Sequence, residues 1–187
     1  MRIYYTENFT GGREESHRLL KAALCIQTGD EEQAKKLIGT LKKGEHGKPY
    51  IEGFCCFSVS HTGSIWAALF ADRECGLDIQ LSRKCDIMAI SERFFAVQDA
   101  EIIASEGSPA KAYDTFFRAW TRREALVKAL GTTVYDPELP NVLSGKAEAG
   151  GRQYSIADIG PFVSLQLYAA ICVEGSISDQ EPEIYHL

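Results

Sequence analysis

Residues 120 to 131 read Trp120-Thr121-Arg122-Arg123-Glu124-Ala125-Leu126-Val127-Lys128-Ala129-Leu130-Gly131, and the fold is read outward from them. They close a segment, Lys111 to Leu130, with the apolar spacing of a helix. At about 100° per residue, Trp120, Glu124 and Lys128 stand on one slowly drifting ridge, with Phe116, Ala119, Leu126, Val127 and Leu130 beside it. Arg123 falls inside the apolar arc, where a charge needs a partner; an anionic ligand or Glu124 would supply one. Taken alone, Glu124 and Lys128 read first as an ordinary surface pair worth about 0.3–0.5 kcal/mol.

Upstream, Gly76-Leu77-Asp78-Ile79-Gln80 ends a strand from Cys75 to Ile79. With Leu77 and Ile79 on one face, Asp78 and Gln80 share the other, either as oxygen donors for a hard cation such as Mg²⁺ or as a solvent-facing strand edge. Before it, Phe57-Ser58-Val59-Ser60-His61-Thr62-Gly63 places a Ser-His-Thr-Gly turn at the end of a strand from Phe54 to Ser58. Such a turn presents hydroxyls, an imidazole and Gly-flanked amides to a phosphate, or simply caps its own backbone in a hairpin. Ile65 to Ala71 reads as a further strand, and so does Arg2 to Tyr5 at the start of the chain. Helices are expected over Glu14 to Ile26, over Glu31 to Leu41 capped by Asp30, from Asp86 with Ile87, Ile90, Phe94 and Phe95 as its apolar face, and over Gln98 to Ser105. Later, Val163, Leu165, Leu167 and Ala169 alternate with Ser164, Gln166 and Tyr168 as in a half-buried antiparallel strand. The polar tail from Gly175 to Leu187 is expected to be loosely ordered or a small edge element. The class is α+β.

The chain has 187 residues, 45% hydrophobic and 25% charged, which is ordinary globular usage and suits one domain or two small fused halves. Twenty Lys and Arg against 26 Asp and Glu give a net charge of −6, which argues against generic binding to nucleic acid or an anionic membrane. The longest uncharged apolar stretch, Phe162 to Val173, is far short of the ~20 residues that span a bilayer. The opening residues lack the pattern of a secretory signal, so a cytoplasmic protein is expected. Six cysteines, Cys25, Cys55, Cys56, Cys75, Cys85 and Cys172, form no CxxC or Cys/His metal spacing and read as buried free thiols. A Cys56/His61 nucleophile pair lacks a third, orienting group.

Five blocks in order carry a stronger signal: Gly47-Lys48-Pro49-Tyr50, Phe57 to Gly63, Gly76-Leu77-Asp78-Ile79, Arg93-Phe94-Phe95 and Trp120 to Gly131. Together they resemble the 4′-phosphopantetheinyl transferases of the surfactin-synthetase-activating type, from Gly47 to Gly131 and, more weakly, back to His17-Arg18-Leu19-Leu20. The resemblance implies two pseudo-twofold-related α/β halves, residues 1–73 and 74–187, in one compact unit with coenzyme A in the cleft between them. It implies Mg²⁺-dependent transfer of the phosphopantetheine arm to a serine of an apo acyl, peptidyl or polyketide carrier protein, releasing adenosine 3′,5′-bisphosphate. By motif position Asp78, Glu124 and Gln80 would hold Mg²⁺, and Glu124 or a metal-ordered water would take the serine proton. Lys128 would stabilise the leaving phosphate, while His61, Ser60, Lys48 and Arg18 would grip the 3′-phosphate end of coenzyme A, a cofactor set that includes Asp78 and Lys128.

Gln80 stands where the family usually has an acidic residue. Its amide oxygen can ligate Mg²⁺ but brings no charge, so weaker metal binding or a water in that position is expected. An acidic carrier would dock through local basic residues, with Arg83, Lys84, Arg118 and Arg122 as candidates. A monomer is expected, because the two halves complete the cleft within one chain. The alternative function is a non-catalytic coenzyme A or carrier-binding module, and its support is Gln80. No P-loop pattern is present for an unrelated phosphotransferase.

Overall fold

The computed structural model describes residues 1–160, 167–177 and 182–187. The first half contains β1 (Arg2–Thr6), α1 (Arg13–Thr28), α2 (Glu31–Gly39), a two-residue pair β2 (Lys42–Lys43) and β3 (Pro49–Tyr50), then β4 (Cys56–Thr62) and β5 (Ile65–Ala71). The second contains β6 (Cys75–Leu81), α3 (Ile87–Phe94), α4 (Val97–Ala104), α5 (Pro109–Leu130), β7 (Lys146–Ala149), β8 (Arg152–Asp158) and β9 (Leu167–Glu174); β10 (Glu183–His186) ends the chain. The expected cap at Asp30 forms, and Asp86 and Ser108 act as caps as well. The Asp30 side chain accepts from the amides of Glu32 and Gln33, Asp86 caps α3 through Ala89, and Ser108 caps α5 with Pro109 at its first turn.

The strands form two four-stranded sheets, ordered β10-β1-β5-β4 and β6-β9-β8-β7. Period-two alternation gives each sheet one face for helices and one for the other sheet. Tyr4, Phe57, Trp66, Ala68 and Phe70 meet α1 and α2, and Trp66 Nε1 donates to Ser16 Oγ on α1 at 2.8 Å. Ile3, Ala67 and Leu69 of the first sheet pack against Leu77, Ile79 and Ile171 of the second. Tyr154, Ile156, Ala170 and Cys172 meet α5. The layers therefore run helix, sheet, sheet, helix.

One expectation is revised. The strand expected over Phe54 to Ser58 lies at Cys56–Thr62, so Ser60, His61 and Thr62 are strand residues; the turn is Gly63-Ser64, with Gly63 at φ 55° and Thr62 paired with Ile65. The hydroxyls that look like turn residues are turned onto β6, which hides a buried strand behind a polar pattern. Of the two states expected for the tail, the small edge element is the one found: β10 pairs parallel to β1, Glu183 opposite Arg2, and adds a strand to the sheet of the first half. β9 is described over Leu167–Glu174, and Val163, Ser164, Leu165 and Gln166 of the expected strand lie outside the described residues.

The two halves join along β4 and β6. Ser58 Oγ accepts from Leu77 N at 3.0 Å, Ser60 Oγ from Ile79 N at 3.2 Å and Thr62 Oγ1 from Leu81 N at 3.2 Å. Each pair is 19 residues apart, so the strands run parallel and in register. A row of hydroxyls thus satisfies amides on the edge of β6 that would otherwise be buried and unpaired.

On the opposite face of β6, α5 lies directly on the strand. A Cβ added at Gly76 would sit 1.9 Å from Ala125 O and 2.6 Å from Ala129 N, both backbone atoms of α5. Glycine is required there by close approach, because neither backbone can yield without lifting the helix. Gly76→Ala is expected to lower stability by about 2–3 kcal/mol in chemical denaturation, the cost of overpacking at a rigid contact.

Candidate active site

Close packing at Gly76 brings the α5 ridge over the polar face of β6. Lys128 Nζ donates to Asp78 Oδ1 at 2.7 Å, Ser60 Oγ at 3.0 Å and Leu77 O at 3.1 Å, which uses all three of its protons. Ser60 Oγ in turn donates to Asp78 Oδ1 at 2.9 Å. Asp78 is 6% exposed, so its charge is held in a poorly solvated setting by an ammonium and a hydroxyl. Both bonds fall on Oδ1; Oδ2 has no hydrogen-bond partner among the described residues and is not a buried atom.

Glu124, one turn before Lys128, also has no hydrogen bond among the described residues. Burial pushes its carboxyl above the usual glutamate range, and the negative charge of Asp78 pushes it further, against smaller pulls from Lys128 and Arg123. Gln80 lies two residues along the strand from Asp78; its amide nitrogen donates to Leu81 O at 2.7 Å and its amide oxygen is unpartnered among the described residues. No group of three His, Cys, Asp or Glu comes together among the described residues. The oxygens of Asp78, Glu124 and Gln80 are nevertheless the hard donors that Mg²⁺ takes, and two facing carboxylates without a shared proton or cation are the arrangement such an ion relieves.

The other expected ligand residues are spread more widely. His61 is exposed on the α1 side of β4 with its ring 5.0 Å from that of Phe9, one residue along from Ser60 and therefore on the opposite face. Arg18 is exposed on α1 and paired twice with Glu15, at 2.8 and 2.7 Å. Lys48 donates to Glu74 Oε2 at 2.5 Å and to Ala129 O at 2.9 Å, clasping the end of α5 to the start of β6. It lines a cavity of about 440 Å³ with His46, Tyr50, Gly131, Arg152 and Tyr154, which draws on both halves. Ala129 borders this cavity and its neighbour Lys128 reaches Asp78, so cavity and acidic site meet at the last turn of α5.

Arg123 is 4% exposed, and its partners are neither Glu124 nor a ligand: it donates to the backbone carbonyls of Val134 at 3.1 Å and Asp136 at 3.5 Å. Its Nε is buried without a partner among the described residues, and burial pulls its pKa down. Arg118 and Arg122, expected on a docking face, are engaged instead by Asp158 on β8, with contacts of 2.7–3.0 Å that fasten the sheet to α5. Arg83 and Lys84 remain exposed. All six cysteines are free; Cys56 and His61 alternate to opposite faces of β4, and burial pushes the Cys172 thiol up to about 12.

Sequence reasoning missed Ser58 and Thr62, Glu74, Asp158 and Asp99. Asp99 is buried and accepts from Val142 N at 2.8 Å and Leu143 N at 3.1 Å. The hydroxyls carried a readable signal, since positions 58, 60 and 62 alternate with Val59 and His61. The acidic residues carried none, because their partners are 26 to 44 residues away in the chain.

Residues 74–165 match the model of the 4′-phosphopantetheinyl transferase superfamily. That range covers β6, the three helices after it, β7 and β8, so the α+β fold of this half is the superfamily's. The 4′-phosphopantetheinyl transferase gsp of Aneurinibacillus migulanus is 29% identical over 52% of this chain and 40% of its own length. HetI of Nostoc sp., also named a 4′-phosphopantetheinyl transferase, is 30% identical over 70% of this chain and 55% of its own. AcpT of Salmonella typhi, named likewise, is 34% identical over 54% of this chain and 57% of its own. The chain thus spans about half the length of these relatives. No helix among the described residues is long and apolar enough to cross a membrane.

Burial alone would raise the Asp158 carboxyl, but its bonds to Arg122 and Arg118 outweigh that and hold it below the usual aspartate range. A depressed carboxyl adds stability above its unfolded pKa and loses it as pH falls through the folded value. Asp158→Asn is expected to cost about 1–3 kcal/mol at neutral pH by leaving Arg122 unpaired. In thermal melts against pH, the gap from wild type should narrow below about pH 4.

Proposed function

We propose that this protein is a 4′-phosphopantetheinyl transferase that moves the phosphopantetheine arm of coenzyme A to a serine hydroxyl of an apo carrier protein and releases adenosine 3′,5′-bisphosphate. The observation that carries the reading is the meeting of Asp78, Glu124 and Lys128 at the seam, inside the segment that matches the superfamily. Opening a pyrophosphate with an alcohol needs charge neutralisation on the phosphates, a cation on the leaving group and a base near the hydroxyl.

In this reading Asp78, Glu124 and Gln80 hold Mg²⁺, which when bound neutralises the pyrophosphate. Lys128 would stabilise a leaving phosphate oxygen by giving up one of its three seam contacts. Glu124, with its carboxyl raised by burial and by Asp78, is placed to take the serine proton directly or through an ordered water. The cavity lined by Lys48, His46 and Arg152 together with Glu45 and Glu74 gives a polar recess beside this centre for part of coenzyme A, with His61 and Arg18 exposed on the α1 side. Residues 1–73 and 74–187 act as two halves of one monomeric chain. The order of the five blocks is what supports the surfactin-synthetase-activating type within this reading.

Two experiments test the reading. Apo carrier protein incubated with this protein, coenzyme A and Mg²⁺ should gain the mass of phosphopantetheine, and Glu124→Ala should abolish the gain. Coenzyme A binding without any mass gain across several carriers would instead support a non-catalytic binding module, the reading that Gln80 favours. Reversing exposed Arg83 and Lys84 to Glu should slow association with an acidic carrier severalfold at low salt and leave coenzyme A affinity unchanged. Unchanged carrier kinetics would remove this loop from the docking face.

A further inference from the structure

The hydroxyls of Ser58 and Ser60 do the same structural task and differ in one respect. Each accepts a β6 amide across the seam, at 3.0 and 3.2 Å, and both residues are buried, at 3% and 5% exposure. Ser58 stops there as far as β6 is concerned. Ser60 continues: it accepts a second proton from Lys128 Nζ at 3.0 Å and donates its own to Asp78 Oδ1 at 2.9 Å.

A serine hydroxyl has one proton and two lone pairs. Ile79 N–H and Lys128 occupy the lone pairs and Asp78 takes the proton, so Ser60 has nothing left with which to bind a phosphate. Its proton goes to the same Asp78 oxygen that Lys128 holds. Oδ1 is thereby pinned from two directions, and the carboxylate cannot rotate about its terminal bond without breaking both contacts. Oδ2 is left unburied, and without a partner among the described residues, on the polar face of β6 shared with Gln80.

We infer that Ser60 is a positioning residue for the metal site and not a contact for coenzyme A: by fixing Asp78 Oδ1 and Lys128 against β6, its hydroxyl presents Asp78 Oδ2 to a divalent cation. The inference rests on the proposed transferase reading only for the presence of that cation. Groups that orient a ligand carboxylate from behind typically change metal affinity about 10–100-fold when removed. Ser58 supplies the internal comparison, since it bonds the same strand edge without touching Asp78.

The test measures Mg²⁺ binding by titration calorimetry on wild type, Ser60→Ala, Ser60→Thr and Ser58→Ala, with coenzyme A binding in metal-free buffer measured alongside. Ser60→Ala is expected to weaken Mg²⁺ binding about tenfold or more. Ser58→Ala should lose comparable thermal stability and keep Mg²⁺ affinity, Ser60→Thr should restore the affinity with its hydroxyl, and coenzyme A affinity without metal should be the same in all four. Equal Mg²⁺ affinity in Ser60→Ala and Ser58→Ala overturns the inference and leaves the transferase reading intact. Loss of metal-free coenzyme A affinity in Ser60→Ala also overturns it, in favour of a direct contact. Absence of Mg²⁺ uptake by the wild type overturns the metal assignment and this inference together. Should Ser60→Ala not fold, Ser60→Cys, whose thiol is a weaker donor and acceptor, makes the same comparison.

Discussion

Three hydroxyls, two residues apart on β4, take the place of a backbone ladder between the two halves. A direct ladder would merge the sheets edge to edge. Hydroxyl side chains hold β6 one side chain's length away and let the second sheet turn its apolar face onto the first, so that Ile3 and Leu69 meet Leu77 and Ile171. The seam fixes register as well as contact, because a slip of one residue would turn Ser58, Ser60 and Thr62 to the wrong face. Everything chemically interesting lies at its middle rung.

That position explains how the site tolerates a buried aspartate. An isolated carboxylate at 6% exposure would be costly, and Lys128 and Ser60 together offset much of that cost. The compensation is deliberately incomplete in one direction, since Glu124 carries a second carboxyl into the same space with no hydrogen bond among the described residues and its pKa raised. Like charges held close are a reservoir of unfavourable energy that a cation or a proton discharges, and such pairs concentrate at functional sites. Gly76 makes the crowding possible, because only a residue without a Cβ lets α5 come near enough for Glu124 and Lys128 to overhang β6.

A second fastening lies further along the same helix. Lys48 clasps Glu74 and the carbonyl of Ala129, while Arg118 and Arg122 grip Asp158 on β8. The helix is thus fixed at its end and along its outer side by ion pairs, and through its core by the cluster of Phe116, Ala119, Leu126 and their neighbours. Arginines that seem free for a partner when counted along the sequence are committed to holding the helix over the site. Of the four basic residues singled out in the sequence, Arg83 and Lys84 on the loop after β6 stay exposed.

Sequence by itself determined a good deal. Helix spacing set Glu124 and Lys128 on one ridge, period-two alternation set Asp78 and Gln80 on one strand face, and the cap at Asp30 set where a helix begins, because each of these depends on neighbours within a turn or two. Tertiary structure alone decided the rest. Whether Ser60 binds a ligand or positions Asp78, whether Arg123 faces Glu124 or the carbonyls of Val134 and Asp136, and whether Arg122 waits for a partner or closes on Asp158 all depend on residues 11 to 36 positions apart. The polar run at Ser58 to Thr62 shows the reason most plainly: hydroxyls satisfy solvent, their own turn or a strand edge equally well, and only the arrival of β6 beside β4 selects the last.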